Sequence, residues 1–200
     1  MKFFFQTTIL VLAAFACLGW AESWEAIRQN SGNITSITAD FTQEKHLKIL
    51  ARPLISQGIF VFQAPDSLRW EYTTPVKSLL LMHKGRMRKF VQQNNKLVES
   101  QTPGMDAMVV VSREISQWLA GNFADNPTFD AELQPGRMII LTPKNKGLAQ
   151  LISKIELQLA ETPGLMESVS IFEGKDSFTK LVFSHAVLNT KIPETRFTRQ

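Results

Sequence analysis

The chain has a single cysteine, Cys17, and it falls inside an N-terminal stretch that reads as a targeting segment. Lys2 supplies a positive start, Ile9 to Cys17 a short apolar region, and Gly19-Trp20-Ala21 the small-residue pattern that a signal peptidase accepts. Residues 1–21 are therefore expected to be a signal peptide, with the mature chain starting at Glu22 as one domain over 22–200. Such a mature chain has no thiol, which excludes a disulfide framework. A competing reading takes Ala14-Phe15-Ala16-Cys17 as a lipid-modification signal, with Cys17 as the acylated N-terminus. Long hydrophobic runs are also missing. A spanning helix needs roughly 20 apolar residues, yet Gln6, Thr7 and Thr8 interrupt the leader and no later stretch comes close.

The residues that enzymes assemble are equally sparse. His46, His83 and His185 are scattered among strand-like segments with no metal-ligand spacing and no nucleophile motif beside them, so each reads as a surface or internally satisfied histidine. Glycine-rich phosphate loops are absent; Gly85 and Gly174 sit in turns. Asp40, Glu44, Asp66 and Glu71 form a carboxylate pair only if a fold is assumed. The expectation is no catalytic residue, no metal and no cofactor. Strong charge is lacking too. Without Lys2 there are 21 basic and 18 acidic residues, a formal +3. The densest basic cluster, Lys84 to Lys89, reads as a solvated hairpin turn with its flank rather than a nucleic-acid surface, though it also suits an acidic partner or a headgroup. No nucleic-acid partner is expected. Asn33-Ile34-Thr35 fits a glycosylation sequon, which carries little weight in a bacterial chain.

What is present is a series of short strands. Ser23 to Asn30 is a brief amphipathic helix stopped by Ser31-Gly32-Asn33. Alternation from Ile37 to Gln43 predicts a strand running towards Leu50, and others follow at Ser56, Leu68, Ser78–His83 and Arg86–Gln92, with turn signals about every 10 residues. After Thr102-Pro103-Gly104 the period becomes helical: Met105, Met108, Val109, Ser112, Ile115 and Leu119 share a face that Val111 and Trp118 widen, up to Gly121-Asn122. Strands resume at Thr128–Leu133, Met138–Leu141, Lys154–Leu159, Ser168–Phe172 and Thr179–Ser184. One helical turn is expected at Leu148–Ile152, and Ile192-Pro193 with Phe197 suggests a final edge segment. This order predicts an α+β fold in which a curved antiparallel sheet carries helices on one face.

The richest stretch is Ser56 to Pro75. Phe60 and Phe62 lie two apart, as do Leu68, Trp70 and Tyr72, so each strand lays its rings in a row on one face. Arg69, Glu71 and Thr73 take the other face, predicting a sheet covered on one side only. Such rings most often build an ordinary core and less often the wall of a ligand cavity. The Met-bearing helix is open to the same two readings, its flexible thioethers suiting varied apolar ligands.

Ala39-Asp40-Phe41-Thr42-Gln43, Ser56-Gln57-Gly58, Pro65, Leu68-Arg69-Trp70-Glu71-Tyr72, Pro75, Lys84-Gly85, Leu141-Thr142-Pro143-Lys144 and Ile155-Glu156-Leu157 occur in an order and spacing that resembles the LolA family of periplasmic lipoprotein carriers. The resemblance implies an unclosed antiparallel β-barrel with a helical lid over an apolar cavity. It implies a monomeric periplasmic carrier that shuttles acylated lipoprotein from an inner-membrane exporter complex to an outer-membrane acceptor. Under it, Leu68 and Trp70 face the cavity, with Phe60, Phe62, Tyr72, Leu80 and Met82 beside them. Met105, Met108, Val109, Ile115 and Leu119 form the lid. Ala64 stands where the best-known carriers have an arginine that bonds to the lid. Leu50-Ala51-Arg52-Pro53-Leu54-Ile55-Ser56 is similar to a divergent branch whose cargo is another amphiphile, a glycolipid or pigment lipid. An envelope sensor using the same sheet is a third reading.

Overall fold

Eleven strands make one antiparallel sheet in the computed structural model, which describes residues 23–100, 107–174 and 176–198, and of 107–109 only the backbone. Ahead of the sheet comes α1 (Trp24–Ser31), whose first turn is capped by Ser23 Oγ accepting from the Ala26 N–H at 3.2 Å. The strands are β1 (Ser36–His46), β2 (Leu54–Gln63), β3 (Ser67–Thr74), β4 (Ser78–His83), β5 (Arg86–Gln93), β6 (Lys96–Glu99), β7 (Phe129–Gln134), β8 (Met138–Pro143), β9 (Lys154–Leu159), β10 (Met166–Phe172) and β11 (Phe178–Leu188). Between β6 and β7 runs α2 (Ala107–Leu119); α3 (Lys146–Leu151) and α4 (Thr195–Thr198) are shorter.

Strand order is β6-β5-β4-β3-β2-β1-β11-β10-β9-β8-β7. The sheet therefore begins and ends at β6 and β7, which do not pair, and the chain passes from one edge to the other through α2. Two tight turns show how the sequence directs the meander. Lys84 and Gly85 have φ of 50° and 73°, and Asn94 and Asn95 have 47° and 64°, the left-handed pairs that match hairpin twist. The longest strands, β1 and β11, pair at the centre of the sheet, from Ile37 opposite Leu188 to His46 opposite Phe178.

Register converts the sequence rows into a surface. Phe62, Leu68 and Met82 stand opposite one another across β2, β3 and β4, and so do Phe60, Trp70 and Leu80. All six are buried in the main apolar cluster, together with Val111, Ile115, Trp118 and Leu119 of α2. Gly58 of β2 faces Phe41 of β1, and the ring of Phe41 covers the space a side chain would take. Phe41 then meets Trp70 and Tyr72 edge-on at 5.6 and 5.1 Å.

The opposite face departs from expectation at two places. Arg69, placed on a wet face by alternation, is only 7% exposed. Its Nε donates to Glu71 at 2.8 Å and its Nη1 to the Arg196 carbonyl at 3.1 Å. The C-terminal tail supplies this cover. Rather than adding an edge strand, it folds into α4 through bonds from the Arg196 and Phe197 N–H groups to Pro193 and Glu194, and α4 lies on β3 and β4. Pro193 offers no N–H to a ladder, whereas Phe197 gains burial against the sheet, its ring stacked on His83 at 6.1 Å. A second apolar cluster of Leu79, Leu81 and Phe90 lies on this convex side.

Candidate functional site

The cavity between sheet and helix is lined by Ile37, Ala39, Phe60 and Trp70 from the first half of the sheet, Val111, Ile115, Trp118 and Leu119 from α2, and Leu165, Met166, Val169, Phe183 and Ala186 from the second half. Apart from the two indole nitrogens, its lining side chains carry no nitrogen or oxygen. Its volume is about 40 Å³. Pockets that hold organic ligands run to about 300–1,000 Å³. The helix and the sheet are thus closely packed.

Of the residues singled out in the sequence, Phe60, Trp70, Ile115 and Leu119 line this cavity. Phe62, Leu68, Leu80 and Met82 are buried in the same cluster without bordering the void. Tyr72 sits half-buried at its margin, its hydroxyl donating to Gln43 Oε1 at 2.6 Å. Met105 lies outside the described residues, as do the side chains of Met108 and Val109. Five of the thirteen lining residues, Leu165, Met166, Val169, Phe183 and Ala186, were not foreseen; they come from β11, β10 and the turn before it. Alternation alone does not find them, because register irregularities in β10 and β11 bring Met166 and Val169, and Phe183 and Ala186, onto one face although each pair is three residues apart.

Glu114 ties α2 to the segment that follows it. Glu114 accepts from Asn126 Nδ2 at 2.7 Å through one carboxylate oxygen and from Thr128 Oγ1 at 2.8 Å through the other. Asn126 is itself buried. Its Oδ1 accepts from the N–H groups of Thr128 and Phe129, both at 2.8 Å, and its carbonyl accepts from Lys144 Nζ, so the helix is fastened to the start of β7 and to β8. Just beyond α2, Gly121 has φ of 73°, and a Cβ there would come within 2.6 Å of the Arg28 Cα of α1. Both features anchor the C-terminal half of α2. Ala64, by contrast, is exposed in a groove with Thr35, Ser36, Gln63, Asn189, Thr190 and Lys191, none of which belongs to the helix.

Two buried donors stand out against this apolar background. Trp70 Nε1 and Trp118 Nε1 are buried without a hydrogen-bond partner, and each indole is 1% exposed. Both tryptophans line the cavity.

The titratable groups are engaged elsewhere. His46 contacts Glu44, and His185 contacts Asp40 at 2.9 Å on the surface. Ser67 Oγ lies 2.8 Å from His83 Nδ1, whose Nε2 lies 3.0 Å from Glu194. This serine, histidine and carboxylate series stands on the convex face, where it fixes the tail: Glu194 also accepts from Lys84 Nζ at 2.7 Å. Hydrogen bonds from Lys84 and then His83 hold the Glu194 carboxyl below its ordinary range. Arg88 of the basic hairpin is paired with Glu99, holding that carboxyl low as well. No group of His, Cys, Asp and Glu among the described residues could hold a metal, and no helix among them is long and apolar enough to cross a membrane.

Residues 32–200 match the model of a family described as outer membrane lipoprotein carrier protein LolA. The chain is 21% identical to an outer-membrane lipoprotein carrier protein of Pseudoalteromonas translucida, over 96% of this chain and 90% of that one. Among solved structures it is similar to a DUF1329 family protein from Desulfovibrio piger, at 10% identity and a TM-score of 0.49 over 87% of this chain and 95% of that one. A LolA superfamily protein from Nitrosomonas europaea is 12% identical, with a TM-score of 0.45 over 90% and 99% of the two chains.

Proposed function

Because the chain belongs to the LolA family of outer membrane lipoprotein carrier proteins, we propose that it carries acylated lipoproteins across the periplasm, holding their acyl chains between the sheet and α2. The observation that carries this reading is the interface itself: a helix that joins the two edges of an unclosed sheet and covers a cavity lined by apolar side chains and two indoles. Residues 1–21 direct export and are removed. An inner-membrane exporter complex loads the carrier and an outer-membrane acceptor unloads it.

The physics sets the cycle. Each buried CH₂ contributes about 0.8 kcal/mol, so acyl chains prefer the groove to water, but they enter only when α2 leaves the sheet. Closing the empty protein hides the same apolar surface by packing Val111, Ile115, Trp118 and Leu119 against it. Cargo and helix compete for one face, which makes loading reversible. Anchored at Glu114 and Gly121, the helix opens by swinging its N-terminal half; the lid role of Met105, Met108 and Val109 rests on the family resemblance alone. Phe62, Leu68, Tyr72, Leu80 and Met82 extend the wall in the open state.

The Leu50-Ala51-Arg52-Pro53-Leu54-Ile55-Ser56 stretch, similar to a divergent branch of the family, supports a second cargo, and Ala64 at the position of the lid-bonding arginine marks a different control of opening. In that reading the carrier moves a glycolipid or pigment lipid delivered by an exporter. Mass spectrometry of the amphiphile recovered with the protein from the periplasm distinguishes the two: a triacylated peptide supports the first, another acyl lipid the second. Recovery of folded protein that takes up no amphiphile contradicts both.

A further inference from the structure

Trp70 and Trp118 pose a problem that acyl chains alone do not answer. A buried indole N–H normally finds an acceptor, and leaving a buried donor unmatched is costly. Here two such donors, Trp70 Nε1 and Trp118 Nε1, lack partners and belong to side chains that line the same cavity. One comes from the sheet and the other from α2. The remaining lining residues, such as Phe60, Ile115, Val169 and Phe183, provide no side-chain oxygen or nitrogen acceptor, and the Met166 thioether is only a weak one. A wall meant only for hydrocarbon would hold these positions with phenylalanine, which has no donor to satisfy.

We infer that Trp70 Nε1 and Trp118 Nε1 are hydrogen-bond donors to the carbonyl oxygens of the cargo, so that the cavity selects ester- or amide-linked acyl chains over carbonyl-free chains of equal length. This rests on the acyl-carrier reading and refines it. The acyl root, where carbonyl and chain meet, then sits deep between sheet and helix rather than at the mouth. Loading satisfies both donors, which favours the occupied state beyond what apolar burial supplies. Because Trp118 travels with α2, its bond also draws the helix back over a carbonyl-bearing ligand.

The test compares two probes on the full mature chain: a diacylglycerol and the dialkylglycerol ether of the same chain length, which lacks carbonyls. Wild-type protein is expected to bind the ester more tightly, by about three- to tenfold for each donor engaged. Trp70→Phe and Trp118→Phe should each lower the ester-to-ether affinity ratio, the quantity read being that ratio and not the affinity for either probe alone. Indole ¹⁵N–¹H resonances provide a reading that needs no variant: those of Trp70 and Trp118 should move downfield with the ester and not with the ether. Equal affinity for the two probes, with unmoved indole resonances, overturns the inference and leaves the carrier reading intact. It would mean that neighbouring rings, such as Phe41 and Phe60 edge-on to Trp70, already satisfy the donors. Failure to bind either probe overturns the carrier reading itself.

Discussion

Phe60 and Trp70 are directly opposed residues of β2 and β3, and their rings meet edge-on at 88° with centroids 5.5 Å apart. The pair forms part of the cavity wall facing α2. Its energetic and functional roles are separable by comparison with Phe90, which is as deeply buried but on the convex face. Phe60→Ala and Phe90→Ala should each lower stability by about 3–5 kcal/mol. Only Phe60→Ala should weaken binding of a fluorescent fatty-acid probe by the folded fraction. Denaturant titration and probe binding on the same samples check this.

The Glu114 tie makes a different prediction. Glu114→Ala removes the acceptor for Asn126 and Thr128, at a cost of about 1–3 kcal/mol for bonds to a charged group. The loss should fall on the helix. Hydrogen exchange over residues 110–119 should speed up more than over β1 and β11, and acyl probes should load faster in stopped flow. Unchanged exchange in α2 would contradict the anchoring role.

A substitution at Gly58 probes why this strand carries a glycine among large residues. A Cβ there meets the Glu71 carbonyl oxygen and the Phe41 ring, and Phe41 cannot withdraw without disturbing Trp70 and Tyr72. Gly58→Ala should therefore destabilise the protein by about 1–3 kcal/mol. At roughly 2–4 °C per kcal/mol for a chain of this size, calorimetry should show a clear fall in Tm.

Much of the apolar face beneath α2 was legible in the sequence because strand alternation fixes which residues share a face. Phe60, Phe62, Leu68 and Trp70 needed only the period of two, and their cross-strand matching followed from a short turn. The Glu114, Asn126 and Thr128 tie was not legible, since it joins a helix to a loop through polar residues with no periodic pattern. The tail misled for a related reason: a proline beside apolar residues fits an edge strand as well as a cap on the convex face, and only the unfilled surface over His83 and Arg69 decides between them. The cavity's second wall was hidden because register irregularities in β10 and β11 break the period of two between Met166 and Val169 and between Phe183 and Ala186.

Acid should release that tail selectively. Glu194 has its carboxyl pulled below the ordinary range by Lys84 and His83, so the folded state binds its proton less readily than the unfolded chain. The resulting stabilisation is present above the ordinary glutamate value of about 4.3 and is lost as pH falls through the lower folded value. Backbone amides of Arg196 and Phe197 should lose protection from hydrogen exchange in that acidic window. In Glu194→Gln this pH dependence should disappear.

The central claim is that the face covered by α2 is an acyl-binding surface. Native mass spectrometry of the mature protein mixed with a diacylglycerol, for wild type and for Trp70→Lys with its fold verified by circular dichroism, tests it most directly. The account predicts a one-to-one complex for wild type and none for the folded variant. A wild-type protein that stays ligand-free, or a folded variant that binds as well as wild type, would contradict it.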